Sequence, residues 1–207
     1  MQRLLLADVP YDRSFFERPV DDVAHDLVGT TLVLYDADLV LRARVVETEA
    51  YGGSDDPASH AFRGPTQRCA VMFGPAGFLY VYRIYGMHWC MNVVTGEAGE
   101  ASAVLLRAAE LRSRPVDGAE SQAESTLLRG PGNLTRGLGV TGADNGLDCC
   151  HSTSSRIAFC ATTEGTGARR VGRSPRIGIS KERERPSRYF LEDHPAVSRV
   201  PAGTRQR

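Results

Sequence analysis

The sequence predicts one α+β domain spanning residues 1–207, with a mostly antiparallel, curved β-sheet core, flanking helices and a protruding β-hairpin. Three observations carry that expectation. Strand-like runs at 31–35, 39–51, 78–84, 88–95 and 101–109 follow one another, several across gaps of a few residues. Only two short stretches have a helical pattern, which places the helices beside the sheet rather than between its strands. A chain of 207 residues with 42% apolar composition can bury one sizeable core, and no internal repeat divides it. The ends, 1–13 and 201–207, are expected to be loosely ordered.

Pro19 opens the first helix. Val20, Val23, Ala24, Leu27 and Val28 recur at helical spacing, and Gly29 stops the pattern. A short strand follows at 31–35, and Asp36-Ala37-Asp38 turns the chain. The run 39–51 returns as a second strand, in which Leu39, Leu41, Ala43 and Val45 alternate. On a period of two, Val45, Glu47, Glu49 and Tyr51 share one face. One apolar position followed by two acids and a ring means that this face leaves the core and enters a cleft. Residues 52–77 are rich in Gly, Pro, Asp and Ser and form a long loop around His60. Long ordered loops in compact domains tend to be functional. Strands at 78–84 and 88–95 flank Tyr85-Gly86-Met87 as a hairpin. Another apolar strand covers 101–109 and carries Arg107, and the polar stretch 112–126 reads as a surface connection. Gly130-Pro131-Gly132-Asn133 starts a short helix to Leu138, whose first backbone N–H groups can receive a phosphate. Late strands are expected at 176–180 and 189–191.

Composition excludes several classes. No stretch approaches the roughly 20 apolar residues that cross a bilayer, and the first fourteen residues lack the pattern of a secretion signal. Five cysteines, two of them adjacent at Cys149-Cys150, suit reduced thiols in a bacterial-type cytoplasm better than a disulfide framework. Without a CxxC pair, a structural zinc site is not expected. Formal net charge is zero, but its distribution is uneven: residues 1–60 hold five arginines against twelve acids, and residues 163–207 hold eleven basic residues against five acids. That polarity fits either one face meeting phosphates or a solvated basic tail. Lys181 is the only lysine beside 24 arginines and sits in a charge run, so it gives no sign of an imine-forming nucleophile.

The chemistry gathers between 46 and 107. Glu49 can activate a water and stabilise a sugar cation, although Glu47 and Glu49 can equally pair with Arg42 or Arg44, or hold a metal with His60. His60 is open to three roles: metal ligand, general acid or stacking ring. Tyr80 and Tyr82 share a strand face and suit a buried aromatic cluster, whereas Tyr85 falls at the hairpin tip. A ring at an exposed tip suits insertion between base steps. Trp89 reads as core.

Val46-Glu47-Thr48-Glu49-Ala50-Tyr51, then Ser59-His60, then the run from Leu79-Tyr80-Val81-Tyr82 through Tyr85-Gly86-Met87 to Asn92, then Leu105-Leu106-Arg107-Ala108, resemble the alkyladenine (methylpurine, 3-methyladenine) DNA glycosylase family. The resemblance extends weakly over 15–199 and is strongest over 45–108. It implies a monofunctional glycosylase of base excision repair that acts on double-stranded DNA containing damaged purines, with no cofactor, no metal and no strand cleavage. The bases implied are 3-methyladenine, 7-methylguanine, hypoxanthine and ethenoadenine. A monomer with no membrane association is expected. Carried over by position, Glu49 would activate the water and Arg107 would help to hold it. Tyr51, His60 and Tyr82 would stack around the extruded base, Tyr85 would fill the gap in the duplex, and Asn92 would line the pocket floor. Arg68, Gly130, Gly132 and Asn133 would meet the DNA backbone. The chain departs from the family pattern at Gln67 and Cys69, at Asn133, at Ser187 where many relatives carry Trp, and in a shorter, less basic 112–126 connection. Two rivals remain: a lesion-binding protein without turnover, and a metal-dependent hydrolase using Glu47, Glu49 and His60.

Overall fold

Two long central strands, β2 (Leu39–Tyr51) and β5 (Ser102–Ser113), organise the fold. The computed structural model describes residues 9–36, 39–113, 126–150, 155–162 and 170–199. β2 and β5 pair antiparallel, and their register shifts at Arg42/Ala43, Val45/Glu47 and Glu47/Thr48. Each shift adds twist and bend, which is how a sheet acquires curvature. The other edge of β2 is shared: β1 (Thr31–Asp36) takes its first half, and β9 (Arg188–Leu191) takes Glu47 to Glu49. β5 is shared in the same way between β4 (His88–Thr95) and β6 (Thr126–Arg129). β3 (Leu79–Ile84) pairs with β4, β7 (Ile157–Cys160) with β1, and β8 (Val171–Ser174) with β9. Among the described residues every pairing is antiparallel, in line with the mostly antiparallel sheet expected from the sequence.

The helices cover the sheet. α1 (Arg13–Phe16) leads into α2 (Val20–Leu27), which buries Val23, Ala24 and Leu27 in the main core. Thr48 Oγ1 donates to the Ala24 carbonyl at 2.7 Å and fixes α2 on β2. Gly29 ends the helix as anticipated, with a φ of 85° that favours glycine, and its N–H returns to the Val45 carbonyl. α3 (Pro131–Leu138) packs on β4 and β5 through Leu134 and Leu138. Val45 and Val46 both belong to this core, so the alternation expected to carry Val45 onto the face of Glu47 breaks at the bulge.

Several expectations need correction. Residues 10–13 are docked rather than loose: Pro10 bridges Cys160, Tyr11 N–H donates to the Phe159 carbonyl, and Arg13 pairs with Asp148 at 2.6 Å. Residues 1–8 and 201–207 lie outside the described residues, as do 37–38 of the expected 36–38 turn. β5 runs on to Ser113 and β6 occupies 126–129, so the expected 112–126 connection is partly strand, with 114–125 outside the described residues. β7 and β8 were not anticipated. Residues 176–180 form bends instead of a strand, because this stretch serves the side chains of β2 and pairs with no strand. All five cysteines are free thiols.

Candidate active site

A cavity of about 750 Å³ opens between the β3–β4 hairpin, the His60 loop, the start of α3 and the 177–181 segment. Ligand pockets commonly span about 300–1,000 Å³, so it can hold a nucleotide-sized group. Tyr51, His60, Tyr82, Asn92 and Arg107 line it, and Tyr85 borders it. The structure therefore brings together residues that are up to 56 positions apart in the sequence.

Glu49 lies one layer behind the wall. It is fully buried and does not itself border the cavity. Its Oε2 accepts from Tyr51 Oη at 2.9 Å and Arg107 Nη1 at 3.2 Å, and its Oε1 accepts from Ile177 N at 2.7 Å. All three donors belong to residues that line the cavity. Burial pushes the Glu49 carboxyl up, while Arg107, the Ile177 N–H and the Tyr51 hydroxyl pull it back; burial prevails. Tyr51 stays protonated, because burial and the adjacent Glu49 both raise its hydroxyl far above its usual value.

Glu47, two residues earlier, has a different task. Arg107 Nε (3.0 Å) and Arg188 Nε (2.6 Å) donate to its Oε1, and Ser198 N and Oγ, each at 2.9 Å, donate to its Oε2. Burial alone would raise this carboxyl, but the two guanidinium groups outweigh it and hold Glu47 below its ordinary value. Glu47 thus anchors Arg107 by one edge, so that Nη1 is presented to Glu49. The acids take their charged partners, Arg107 and Arg188, from β5 and β9 rather than pairing with Arg42 or Arg44. Among the described residues no three His, Cys, Asp or Glu side chains converge, so Glu47, Glu49 and His60 do not form a metal-ligand set.

The rings form one cluster. Tyr80 and Tyr82 stack with centroids 5.2 Å apart, and His60 meets Tyr82 edge-on at 4.6 Å. His60 Nδ1 and Tyr80 Oη share a hydrogen bond at 2.9 Å. Burial and the charge of Arg68 lower the imidazole pKa, which keeps His60 neutral near pH 7. Asn92 is buried and donates through Nδ2 to the Tyr80 carbonyl at 2.9 Å, which holds its amide oxygen in a set direction.

Tyr85 stands at the hairpin tip, 87% exposed, and Met87 beside it is 70% exposed. Tyr85 has φ 49° and Gly86 φ 69°. A left-handed tyrosine is strained by roughly 1–2 kcal/mol, and nothing in its packing offsets that. At the opposite side of the mouth, Gly130 has φ 84°, and a Cβ at Gly132 would lie 3.2 Å from the His88 side chain. Glycine at both positions lets the first turn of α3, with its unsatisfied N–H groups, sit against β4 beside the cavity. Asn133 lines the same rim, and its Nδ2 donates to the Arg129 carbonyl at 2.8 Å. Arg68 does not border the cavity; its guanidinium lies 5.2 Å from the Tyr82 ring and donates to the Arg83 carbonyl.

Sequence reasoning missed Asp56, Arg176 and Ile177, which meet across more than a hundred residues, a separation at which no local pattern signals contact. Lys181 is exposed, as expected of a solvated charge, and it also borders the cavity, 5.7 Å from the Phe62 ring. At the departure Cys69, mutual contacts with Thr66 close the loop, its N–H donating to the Thr66 carbonyl at 3.1 Å. Ser187 is buried beside the edge of β2, and its carbonyl accepts from Ala50 N at 2.8 Å.

The chain is similar to known proteins over most of its length. The family model described as Methylpurine-DNA glycosylase (MPG) matches residues 14–195. A protein of Frankia casuarinae named "Putative 3-methyladenine DNA glycosylase" is 44% identical over 194 residues, covering 89% of this chain and 90% of its own. Proteins of the same name from Streptomyces avermitilis and Rhodococcus jostii are 42% and 45% identical; they cover 96% and 92% of this chain, and 95% and 85% of their own lengths.

Proposed function

Because the chain belongs to the methylpurine-DNA glycosylase family, we propose that it extrudes damaged purines from duplex DNA and hydrolyses their base–sugar bond with a water activated by Glu49. It is a DNA glycosylase of the 3-methyladenine type. One observation carries the finer reading: Tyr51, His60, Tyr82, Asn92 and Arg107 converge on one cavity, with the Glu49 carboxylate directly behind two of them.

A purine swung into this cavity stacks among Tyr51, His60 and Tyr82. Arg107 reaches both the cavity and Glu49, so a water held at its guanidinium is within reach of the carboxylate. A carboxylate offers about four acceptor positions, and three donors leave one open on Oε1. The water oxygen attacks the anomeric carbon, its proton passes to Glu49, and the bond electrons leave with the base. Bases alkylated at N3 or N7 carry positive charge and depart directly; hypoxanthine and ethenoadenine need a proton on the leaving base. Asn92 rejects the exocyclic amine of normal guanine. Tyr85 fills the gap left in the duplex, and the Gly130–Asn133 turn and Arg68 meet the DNA backbone. Extrusion costs a few kcal/mol, and least for damaged pairs. No step needs a metal or an imine, and the protein works as a monomer.

Glu49 does not border the cavity, and this favours one competing reading: a protein that binds lesions without releasing them. Duplexes carrying hypoxanthine, ethenoadenine or 7-methylguanine separate the two. Free base released above an unbroken abasic strand, unchanged by excess chelator, is the expected result. Tight lesion binding with no free base selects the competitor.

A further inference from the structure

We propose that the buried Asp56–Arg176 pair is the positioning element of the site, holding the reacting carboxylate, the Tyr51 ring and the His60 loop in one arrangement. The inference rests on the role proposed for Glu49. Both side chains are fully buried, and they meet as a fork, Nη1 to Oδ2 at 2.5 Å and Nη2 to Oδ1 at 2.9 Å. Buried ion pairs seldom add net stability. Arg176 Nε is also buried without a hydrogen-bond partner among the described residues, and an unpaired buried donor weakens the fold further. Stability alone is therefore a poor reason for placing the pair here.

What the pair touches gives a better one. Asp56 Oδ2 accepts from Gly52 N and Oδ1 accepts from Ala58 N, each at 3.0 Å, joining the end of β2 to the loop that carries His60. Arg176 Nη1 donates to the Ala50 carbonyl at 3.0 Å, between Glu49 and Tyr51, and its guanidinium carbon lies 4.6 Å from the Tyr51 ring centre. The next residue, Ile177, donates its backbone N–H to Glu49 Oε1 at 2.7 Å. One fork thus sets the plane of an aromatic wall, the entry of the His60 loop and a hydrogen bond to the carboxylate. A lysine at 176 keeps the charge but offers neither the fork nor the flat stacking surface.

The groups facing Glu49 are Arg107 from β5, Glu47 and Tyr51 from β2, Cys90 from β4, and Arg176 with the Ile177 N–H from the bend segment. Breaking the fork withdraws the Ile177 N–H and displaces a cation. Both changes favour the protonated acid, so both move the acidic limb of the rate profile upward in pH.

Single-turnover base release from hypoxanthine duplex is to be measured across pH for wild type, Asp56→Asn, Arg176→Lys and Glu49→Gln, beside thermal unfolding and binding to undamaged duplex. We expect Asp56→Asn and Arg176→Lys each to slow release by about 10- to 100-fold, the scale of a small misplacement at a reacting centre. Their acidic limb should shift upward, while binding to undamaged duplex stays within about twofold of wild type, well below the loss in rate. A rate loss that merely follows lost melting temperature, with the limb unmoved, overturns the proposal. So does full rescue by lysine. If the variants do not fold, the wild-type amide proton of Ile177 decides: its NMR shift should titrate with the midpoint of the acidic limb, and a shift independent of pH overturns the proposal. The Glu49→Gln control separates the levels. Full turnover in that variant removes the mechanism and the pair's role together, whereas a dead Glu49→Gln beside a normal Asp56→Asn removes the pair's role alone.

Discussion

Replacing Glu49 with glutamine tests the centre of the reading, and the structure sets the size of each effect. Three donors converge on the carboxylate: Tyr51 Oη and Arg107 Nη1 on Oε2, and Ile177 N on Oε1. An amide has one acceptor oxygen and one NH₂ group, so one side must face a donor. Turned toward Oε2 the NH₂ would oppose the charged Arg107 guanidinium, which can only donate, whereas the Tyr51 hydroxyl can also accept; turned toward Oε1 it opposes only the neutral Ile177 N–H. The second orientation wins and leaves one buried N–H unpaired, a cost of about 1–3 kcal/mol. For a domain of this length each kcal/mol lowers Tm by roughly 2–4 °C, so Glu49→Gln should melt lower by about 2–12 °C and remain folded. Its loss in chemistry should be larger. A general base contributes about 10²–10⁴ in rate, which is roughly 2.7–5.5 kcal/mol of barrier at 1.36 kcal/mol per tenfold. Single-turnover release measured beside equilibrium binding of the same lesion duplex separates the two effects. Binding should survive, because the substitution removes a negative charge and leaves the rings in place. Release within tenfold of wild type by a folded variant would remove Glu49 from its role, and parallel loss of binding would make it a structural residue.

Three further outcomes follow from the same geometry. Tyr85→Gly relieves the left-handed strain at the hairpin tip but adds unfolded-state freedom of about 0.5–1 kcal/mol, so Tm should barely move while lesion-duplex affinity falls; a lower Tm with intact affinity would show that Tyr85 belongs to the fold. Glu47→Gln leaves Arg107 and Arg188 without their shared counter-charge and should cost about 3–5 kcal/mol in urea unfolding, more than Glu49→Gln; wild-type stability would contradict the anchor described for Arg107. The acidic limb of base release should lie above the ordinary glutamate value of 4.5, since burial raises Glu49 and the proposed mechanism needs its carboxylate form. Glu47 and Asp56 have lowered folded pKa values, so their stabilisation is complete above their ordinary 4.5 and 3.8 and is lost as pH falls through the still lower folded values. Rate should therefore decline while circular dichroism still reports a native fold, and coincident loss of both would argue against Glu49 as the titrating group.

The parts of the molecule legible in the sequence are those governed by local pattern. The helix α2, β2, β4, the hairpin turn and α3 follow from periodicity, proline and glycine, and the structure places them within a residue or so of expectation. Short edge strands escaped, because four residues such as Val171–Ser174 carry too little alternation to stand out from a loop. The stretch 176–180 misled in the other direction: Ile177 and Ile179 alternate like a strand, yet Arg176 is drawn inward to Asp56 and the backbone bends around it. Arg107 was assigned to the site only through family resemblance, and its two carboxylate partners sit on a strand that joins β5 by register alone. Charge pairing across a curved sheet depends on bulges and edge sharing, and neither is written in spacing.

The β3–β4 hairpin works as a gauge. Tyr82 faces the cavity and Tyr85 caps the turn three residues further on, about 10 Å along an extended chain at some 3.3 Å per residue. Paired strands hold that interval as a stiff rod would, with Ile84 opposite His88 closing the rod at its end. Lengthening β3 by one residue would turn Tyr82 to the opposite side of the sheet, so the interval between the tip ring and the cavity can grow only in steps of two residues. On the proposed reading, a nucleotide passing from the stacked helix to this cavity travels a distance cut to that measure.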